Sequence, residues 1–275
     1  MFGKYQRFIE ERFLVLNSTR SNPGVEEQKE VPFKLNKIQT HFLSNASAKA
    51  VVLKARQQGF SSLILAMFTA DFILKENTLS VVVADVADNA SDLLSRVKNY
   101  IKSYEQITNV KIPLKYNSRK ELQNLSNNSR YIIGTAENSN FGRSKTVSNL
   151  HLSEGAFYKD FDKILASAGT ALAPGGKFFI ETTANGFNEF KTFWDNSELD
   201  RTGFMPLFYP AKNFYPKEFL EQERLRLGRL YEQEYPDSAE EAFLTSGEMY
   251  FNREALREYL KLARDPVDVS ALPSV

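Results

Sequence analysis

The stretch Val51-Val52-Leu53-Lys54-Ala55-Arg56-Gln57-Gln58-Gly59-Phe60-Ser61-Ser62 decides how the 275-residue chain is read. A short β-type run, Val51–Leu53, passes through a polar loop with one glycine into SSLILAMFTADFILK. That segment, Ser61–Lys75, is apolar on almost every side and is expected to be a deeply buried helix. A strand turning directly into a helix N-terminus presents free backbone N–H groups and the positive end of the helix dipole, which together bind phosphate oxygens. Set against the pattern G-x-x-x-x-G-K-[ST], Lys54 takes the first glycine position, Gly59 the second, Phe60 that of the lysine, and Ser61 that of the hydroxyl that ligates magnesium. Lys54 and Arg56 are the cations in the loop, so one of the two is expected to reach the β- and γ-phosphates. Gln57, Gln58 and Ser62 complete the candidate nucleotide loop. Upstream, Gln39 in PFKLNKIQTHF stands where an amide could read the N6 and N7 edge of adenine; alone it also reads as a surface helix residue.

Outward from this loop, short apolar runs alternate with longer helical stretches, the pattern of a mainly parallel sheet covered by helices. Further strands are expected at Leu79–Asp85, Tyr131–Gly134, Leu150–Leu152 and Lys177–Glu181, and helices at Ala90–Tyr104 and Phe161–Ala171, long enough for crossovers. Asn124–Asn128 (NLSNN) reads as a surface loop. After Phe187 the rhythm changes to a helix through Asp195, an extended FMPLFYP, a charged helix from Pro216 to Tyr235 with proline in its first turn, and a closing helix near Asn252–Arg264. The expected organisation is a core with an N-terminal helical segment over 1–203, a small lid lobe over 204–264 with its boundary near Phe204, and a tail over 265–275.

Composition narrows the chemistry. With 42% hydrophobic residues, no apolar run of membrane-spanning length and a charged N-terminus, the chain reads as globular, and the cytoplasm is the default compartment. The absence of cysteine removes disulfides, thiolate catalysis and cysteine-ligated zinc, and His41 and His151 lie far apart, so any metal is expected on oxygen ligands. A net charge of +1 is silent on nucleic acid. The clusters Lys111, Lys115, Arg119, Lys120 and Arg224, Arg226, Arg229 read as solvated faces ahead of phosphate contacts.

The strand Leu150–Leu152 ends in Ser153-Glu154. A nucleotide hydrolase places acidic residues at such a strand end, to hold magnesium through water and to activate the attacking water. Here Glu154 is the one acid of the pair, the candidate base, and Ser153 can add a hydroxyl to the magnesium shell. The next strand, KFFIE, runs into TTANG, a polar tip able to contact the γ-phosphate or the attacking water; as local structure, Asn185 and Gly186 also simply make a good turn.

Taken in order, these motifs resemble the large terminase family of tailed phages, whose ATPase domain is a P-loop NTPase of the additional-strand type. KARQQGFS looks like the family's deviant Walker A, LHLSEGAFY is similar to its Walker B, ETTANG to its coupling motif, and QEYPDSAEEAFLTSGEMYF to the stretch closing the ATPase region, over Phe33 to Phe251. Phe60 and Ser153 depart from the usual lysine and acid. The resemblance implies an α/β sheet domain with a C-terminal lid lobe that hydrolyses ATP with Mg2+ and drives double-stranded viral DNA into a procapsid in the host cytoplasm. It implies coupling roles for Thr183 and Asn185, and an arginine finger at Arg143 in FGRSKT acting on a neighbouring subunit. Implied partners are the portal protein, the small terminase subunit, and a nuclease domain that follows in the full-length protein, with a homo-oligomer on the portal and a monomer in solution. Two other functions fit the same loop: a non-catalytic nucleotide-binding assembly module, and a P-loop helicase-like translocase. In motors assembled on procapsid portals, Glu154→Ala subunits that keep Arg143 are expected to support hydrolysis in Arg143→Ala neighbours, so two inactive preparations regain activity on mixing. No recovery from assembled mixtures rules out a finger acting in trans.

Overall fold

We describe a computed structural model, which covers residues 2–16, 29–118, 120–137, 146–245, 258, 259 and 262. The N-terminal segment forms α1 (Gly3–Arg12), the antiparallel pair β1 (Leu14–Leu16) and β2 (Glu30–Pro32), and α2 (Lys37–Asn45). Then come β3 (Lys49–Lys54), α3 (Phe60–Leu74), β4 (Leu79–Ala84), α4 (Ala87–Thr108), β5 (Leu114–Asn117), β6 (Glu121–Asn124), β7 (Arg130–Thr135) and β8 (Val147–Ser153). The chain continues through α5 (Phe161–Ala171), β9 (Leu172–Thr182), α6 (Glu189–Glu198), β10 (Met205–Tyr209), α7 (Lys217–Leu227), α8 (Tyr231–Glu234) and α9 (Ala239–Thr245).

One eight-stranded sheet, in the order β10-β3-β9-β8-β4-β7-β6-β5, organises the domain. Neighbours from β10 to β7 run parallel, and β6 and β5 add an antiparallel margin. Both faces are covered, so the strands are near-continuous apolar runs whose alternate residues enter different cores. Val52 and Phe179 pack with α1 to α4, whereas Val51, Leu53, Phe178 and Ile180 pack with α5, α6 and α9. α3 is buried as its sequence implied: of its residues, Ser61, Ser62 and Leu74 alone are not buried, which leaves two hydroxyls at its open N-terminal end. Among the described residues no helix is long and apolar enough to cross a membrane.

The extended FMPLFYP expected at the start of the lid lobe is placed by the structure: Met205–Tyr209 is the edge strand of the main sheet, parallel to β3, so the sheet continues past Phe204. Pro206, which has no N–H to donate, is tolerated on such an edge. Two sequence expectations need correction. The Pro216–Tyr235 helix is two pieces, because Gly228 at φ +51° breaks it between α7 and α8, and Pro216 sits at the N-cap. NLSNN is not simply a surface loop either. Asn124 is buried, and Asn124 and Asn127 donate to the Phe72 carbonyl, Asn127 also to that of Ile73, while Ser129 donates to Lys75 O, so this turn satisfies the last carbonyls of α3. Polar sequence alone does not distinguish water from a helix end as the partner. The closing helix expected near Asn252–Arg264 and the 265–275 tail lie almost wholly outside the described residues.

The base of the sheet is pinned by a buried polar cluster. Asp71 on α3 accepts from Tyr5 OH of α1 at 2.8 Å and from Lys177 Nζ of β9 at 2.6 Å, and Lys177 also donates to Asn149 Oδ1 of β8 at 2.6 Å. Burial alone would push the Asp71 carboxyl up, but Lys177 and Lys75 outweigh it and hold it below its ordinary value. Its contribution to stability is therefore complete above about pH 4, the unfolded carboxylate range, and is lost as pH falls through the lowered value. Asp71→Ala, which strands a buried ammonium, is expected to cost roughly 3 to 5 kcal/mol in urea unfolding, and adding Lys177→Met to recover much of it. A loss within error of zero would show the cluster to be inert.

Candidate nucleotide-binding site

The loop between β3 and α3 is held from several directions. Ala55 N donates to Tyr209 O, Arg56 N to Glu234 O, and Gln58 Nε2 to Tyr209 O at 3.2 Å, tying the loop to β10 and α8. From α2, Asn36 Nδ2 reaches Gln58 O at 3.2 Å and Gln39 Nε2 reaches Gly59 O at 2.8 Å. Gln57 and Gly59 adopt positive φ, +59° and +81°, which turns the chain into α3 with no side chain capping the helix. The uncapped end opens on a cleft of about 1170 Å³, lined by the loop, Glu154, Arg96 and Tyr100 of α4, and Phe214, Tyr215 and Phe219 beyond β10.

At the cleft floor an ion cluster spans three adjacent strands. Lys54 Nζ, at the end of β3, lies 2.9 Å from Glu154 Oε1 and 3.1 Å from Glu181 Oε2. Glu181, at the end of β9, also accepts on Oε1 from Ser61 Oγ and Ser153 Oγ, both at 2.8 Å, with His151 Nε2 3.3 Å away. Glu154 follows β8 with φ +58°, a conformation a non-glycine residue holds only when its surroundings enforce it. Here its N–H donates to Glu181 O at 2.7 Å, and its Oε2 accepts from Thr183 N at 3.2 Å and Thr182 Oγ1 at 3.4 Å.

These contacts divide the acids. Burial would lower the Lys54 ammonium, but Glu154 and Glu181 reverse that and hold it charged. Burial would raise both carboxyls. For Glu181 the combined pull of Lys54, His151 and Ser153 wins, and its carboxyl lies well below the usual range. For Glu154, burial and repulsion from Glu181 outweigh Lys54, and its carboxyl is raised. One acid is thus a fixed anion and the other is the better proton acceptor.

Of the residues singled out in the sequence, the structure brings Lys54, Ser61, Ser153, Glu154 and Thr183 together. Arg56 sits at the rim, 60% exposed at its side chain and 2.9 Å from Glu234 Oε2, while Lys54 occupies the centre. Phe60 is in the core against Phe42 and Tyr209, so it can offer a ligand only its main chain. The Gln58 side chain likewise faces β10. Gln39 is neither an exposed helix residue nor an amide facing the cleft: it is buried, forms the α2 capping box with Asn36, and braces Gly59. Ser62 accepts from Arg96 at 3.2 Å, and Asn185 donates to Ala156 O at 3.2 Å. Arg143 lies outside the described residues. Sequence reasoning missed Glu181, His151 and Thr182; its one usable signal was an acid closing the apolar strand KFFIE, since such a residue is almost never fully buried without a partner.

A Cβ at Gly59 would stand 2.8 Å from Gln39 Nε2 at a left-handed φ. Gly59→Ala is expected to cost about 1 to 3 kcal/mol in equilibrium unfolding, with Gln39→Ala relieving the contact but not the backbone strain. Unchanged stability would show that the loop relaxes freely.

No family model and no curated protein matches the sequence. Solved structures do match in fold. The large terminase ATPase domain of Thermus phage P74-26 aligns over 74% of this chain and 93% of its own, at 17% identity and a TM-score of 0.58. The large terminase of bacteriophage HK97 aligns over 93% of this chain at 14% identity and a TM-score of 0.61, and the chain spans 58% of its length. The large terminase of a thermophilic bacteriophage, in complex with ATP-gamma-S, aligns over 71% of this chain and 49% of its own, at 11% identity and a TM-score of 0.52. The chain has the fold of phage large terminase ATPase domains, a P-loop NTPase fold in which β9 stands as the additional strand between the loop strand β3 and the acid-bearing strand β8.

Proposed function

We propose that this chain is the ATP-hydrolysing motor of a viral DNA-packaging terminase, coupling magnesium-dependent hydrolysis to movement of double-stranded DNA into a procapsid. The observation that carries this reading is the meeting of Lys54, Ser61, Glu154 and Thr183 at the C-terminal edge of a parallel sheet, beside an uncapped helix N-terminus. In this reading the triphosphate lies across residues 54–62, its charge met by the N–H groups opening α3 and by Lys54, with Arg56 at the rim. Phe214, Tyr215 and Phe219 offer flat surfaces on the side of the cleft beyond β10.

Ser61 and Ser153 are the residues that would hold a magnesium ion, which would supply neutralisation of the charge developing on the phosphate. The donors suit it: Ser61 and Ser153 bring two hydroxyls to one buried carboxylate. Among the described residues no cluster of three acidic or histidine side chains could hold a metal unaided, which fits an ion that shares its shell with phosphate and water. Glu154 takes the proton of the attacking water. Its other oxygen is held by Thr182 and Thr183, so its change of state is felt first by the tip of β9, and Asn185 extends the path to Ala156. Portal protein, small terminase subunit and a nuclease domain are the partners that this role requires, and Arg143 of a neighbouring subunit the cation that completes the site.

Glu154→Gln is expected to lower ATP hydrolysis by about 10² to 10⁴-fold while ATP binding persists. Because the raised Glu154 carboxyl acts only when ionised, the wild-type rate should fall on acidification at a pH above the ordinary glutamate value of about 4.3. Phosphate release and nucleotide titration measure both. ATP binding without hydrolysis in the assembled wild-type motor would instead favour the non-catalytic module, the reading to which the missing loop lysine points.

A further inference from the structure

Ser153 leaves the strand end of β8 without the negative charge that holds a magnesium ion against a P-loop hydroxyl in this fold. The β8–β9 register supplies an alternative, because it sets Glu181 directly beside Ser153. Glu181 is fully buried, and its Oε1 accepts from the Ser61 and Ser153 hydroxyls at 2.8 Å each. Among the described residues Oε2 has no aligned hydrogen bond, and Lys54 Nζ lies 3.1 Å from it. His151, itself buried, backs the carboxylate from β8 at 3.3 Å.

Charge balance gives this arrangement a direction. Two carboxylates share one ammonium in a site about to receive a triphosphate. A Lys54 drawn toward phosphate leaves Glu181 as a buried anion with no counterion, which is strongly unfavourable unless another cation takes its place. Resting on the nucleotide-site reading above, we propose that Glu181 anchors the nucleotide-bound divalent ion beside Ser61, doing from β9 what an acid at position 153 would do from β8, with His151 as its positioning residue. The strand that carries the metal anchor is then the same strand that runs into Thr182 and Thr183, so the anchor and the contact with Glu154 share one element.

The test is calorimetric titration of the full chain with ATP, once with magnesium and once with EDTA, together with the electron paramagnetic resonance spectrum of Mn2+–ADP. Wild type is expected to bind ATP at least tenfold more tightly with magnesium. Glu181→Gln should abolish that ratio and return the Mn2+ spectrum toward that of free Mn2+–ADP, while metal-free ATP binds as well as or better than in wild type. Glu181→Gln combined with Ser153→Asp should restore the ratio. A wild-type ratio in Glu181→Gln overturns the proposal, as does an equal loss with and without metal, which would make Glu181 merely a support for Lys54. Should Glu181→Gln not fold, Glu181→Asp keeps the charge for Lys54 but withdraws the carboxylate by one methylene: a reduced ratio supports the anchor and a wild-type ratio overturns it. Wild-type protein binding ATP under neither condition would remove the nucleotide-site reading itself, a result distinct from binding ATP without metal dependence.

Discussion

The buried ammonium of Lys54 lies between Glu154 and Glu181, and the arrangement of the whole sheet edge follows from that contact. Three parallel strand ends would otherwise bring two carboxylates together, one fully buried and one part-buried, where like charges repel and hydration is reduced. With Lys54 between them, one acid settles as a fixed anion and the other is left raised. A structural ion pair and an acid–base division of labour are thus the same interaction.

Around that centre the loop is braced by groups a ligand does not need to displace. Gln39 and Asn36 hold it from α2, and Gln58 from β10. Arg56 and its main chain tie it to Glu234, while Tyr215 OH donates to Arg56 O at 2.8 Å. α3 behind it is immersed in core on nearly every side. A loop built this way is preorganised, so under the proposed reading the affinity for phosphate would not be spent on ordering it. The same ties give the segment after β10 a direct mechanical link to the loop: Tyr231 and Tyr235 pack on Ala55, and Phe219 packs beside them.

Much of this was legible in the chain. The short apolar runs of β3, β4, β8 and β9, alternating with helical stretches such as the all-round apolar α3, marked a mainly parallel sheet covered by helices, because strand and helix burial are local properties. Lys54, Ser61 and Glu154 could be named for the same reason: each stands at the end of a strand or the start of a helix. Motif position says which residue is near a site and not which way its side chain turns: packing against Phe42 turns the Phe60 ring into the core, and the capping box with Asn36 turns Gln39 onto the loop backbone.

The membership of the acid pair was a different kind of question. Ser153 and Glu181 are 28 residues apart, and what joins them is the pairing of β8 with β9, which brings Glu181 within 2.8 Å of both Ser61 and Ser153. From the sequence alone came the element types, the loop and the candidate base. From the fold came the edge strand β10, the turn that caps α3 and the second carboxylate, because strand order and register are set by the burial of whole faces against one another, a sum over distant residues that no local window contains.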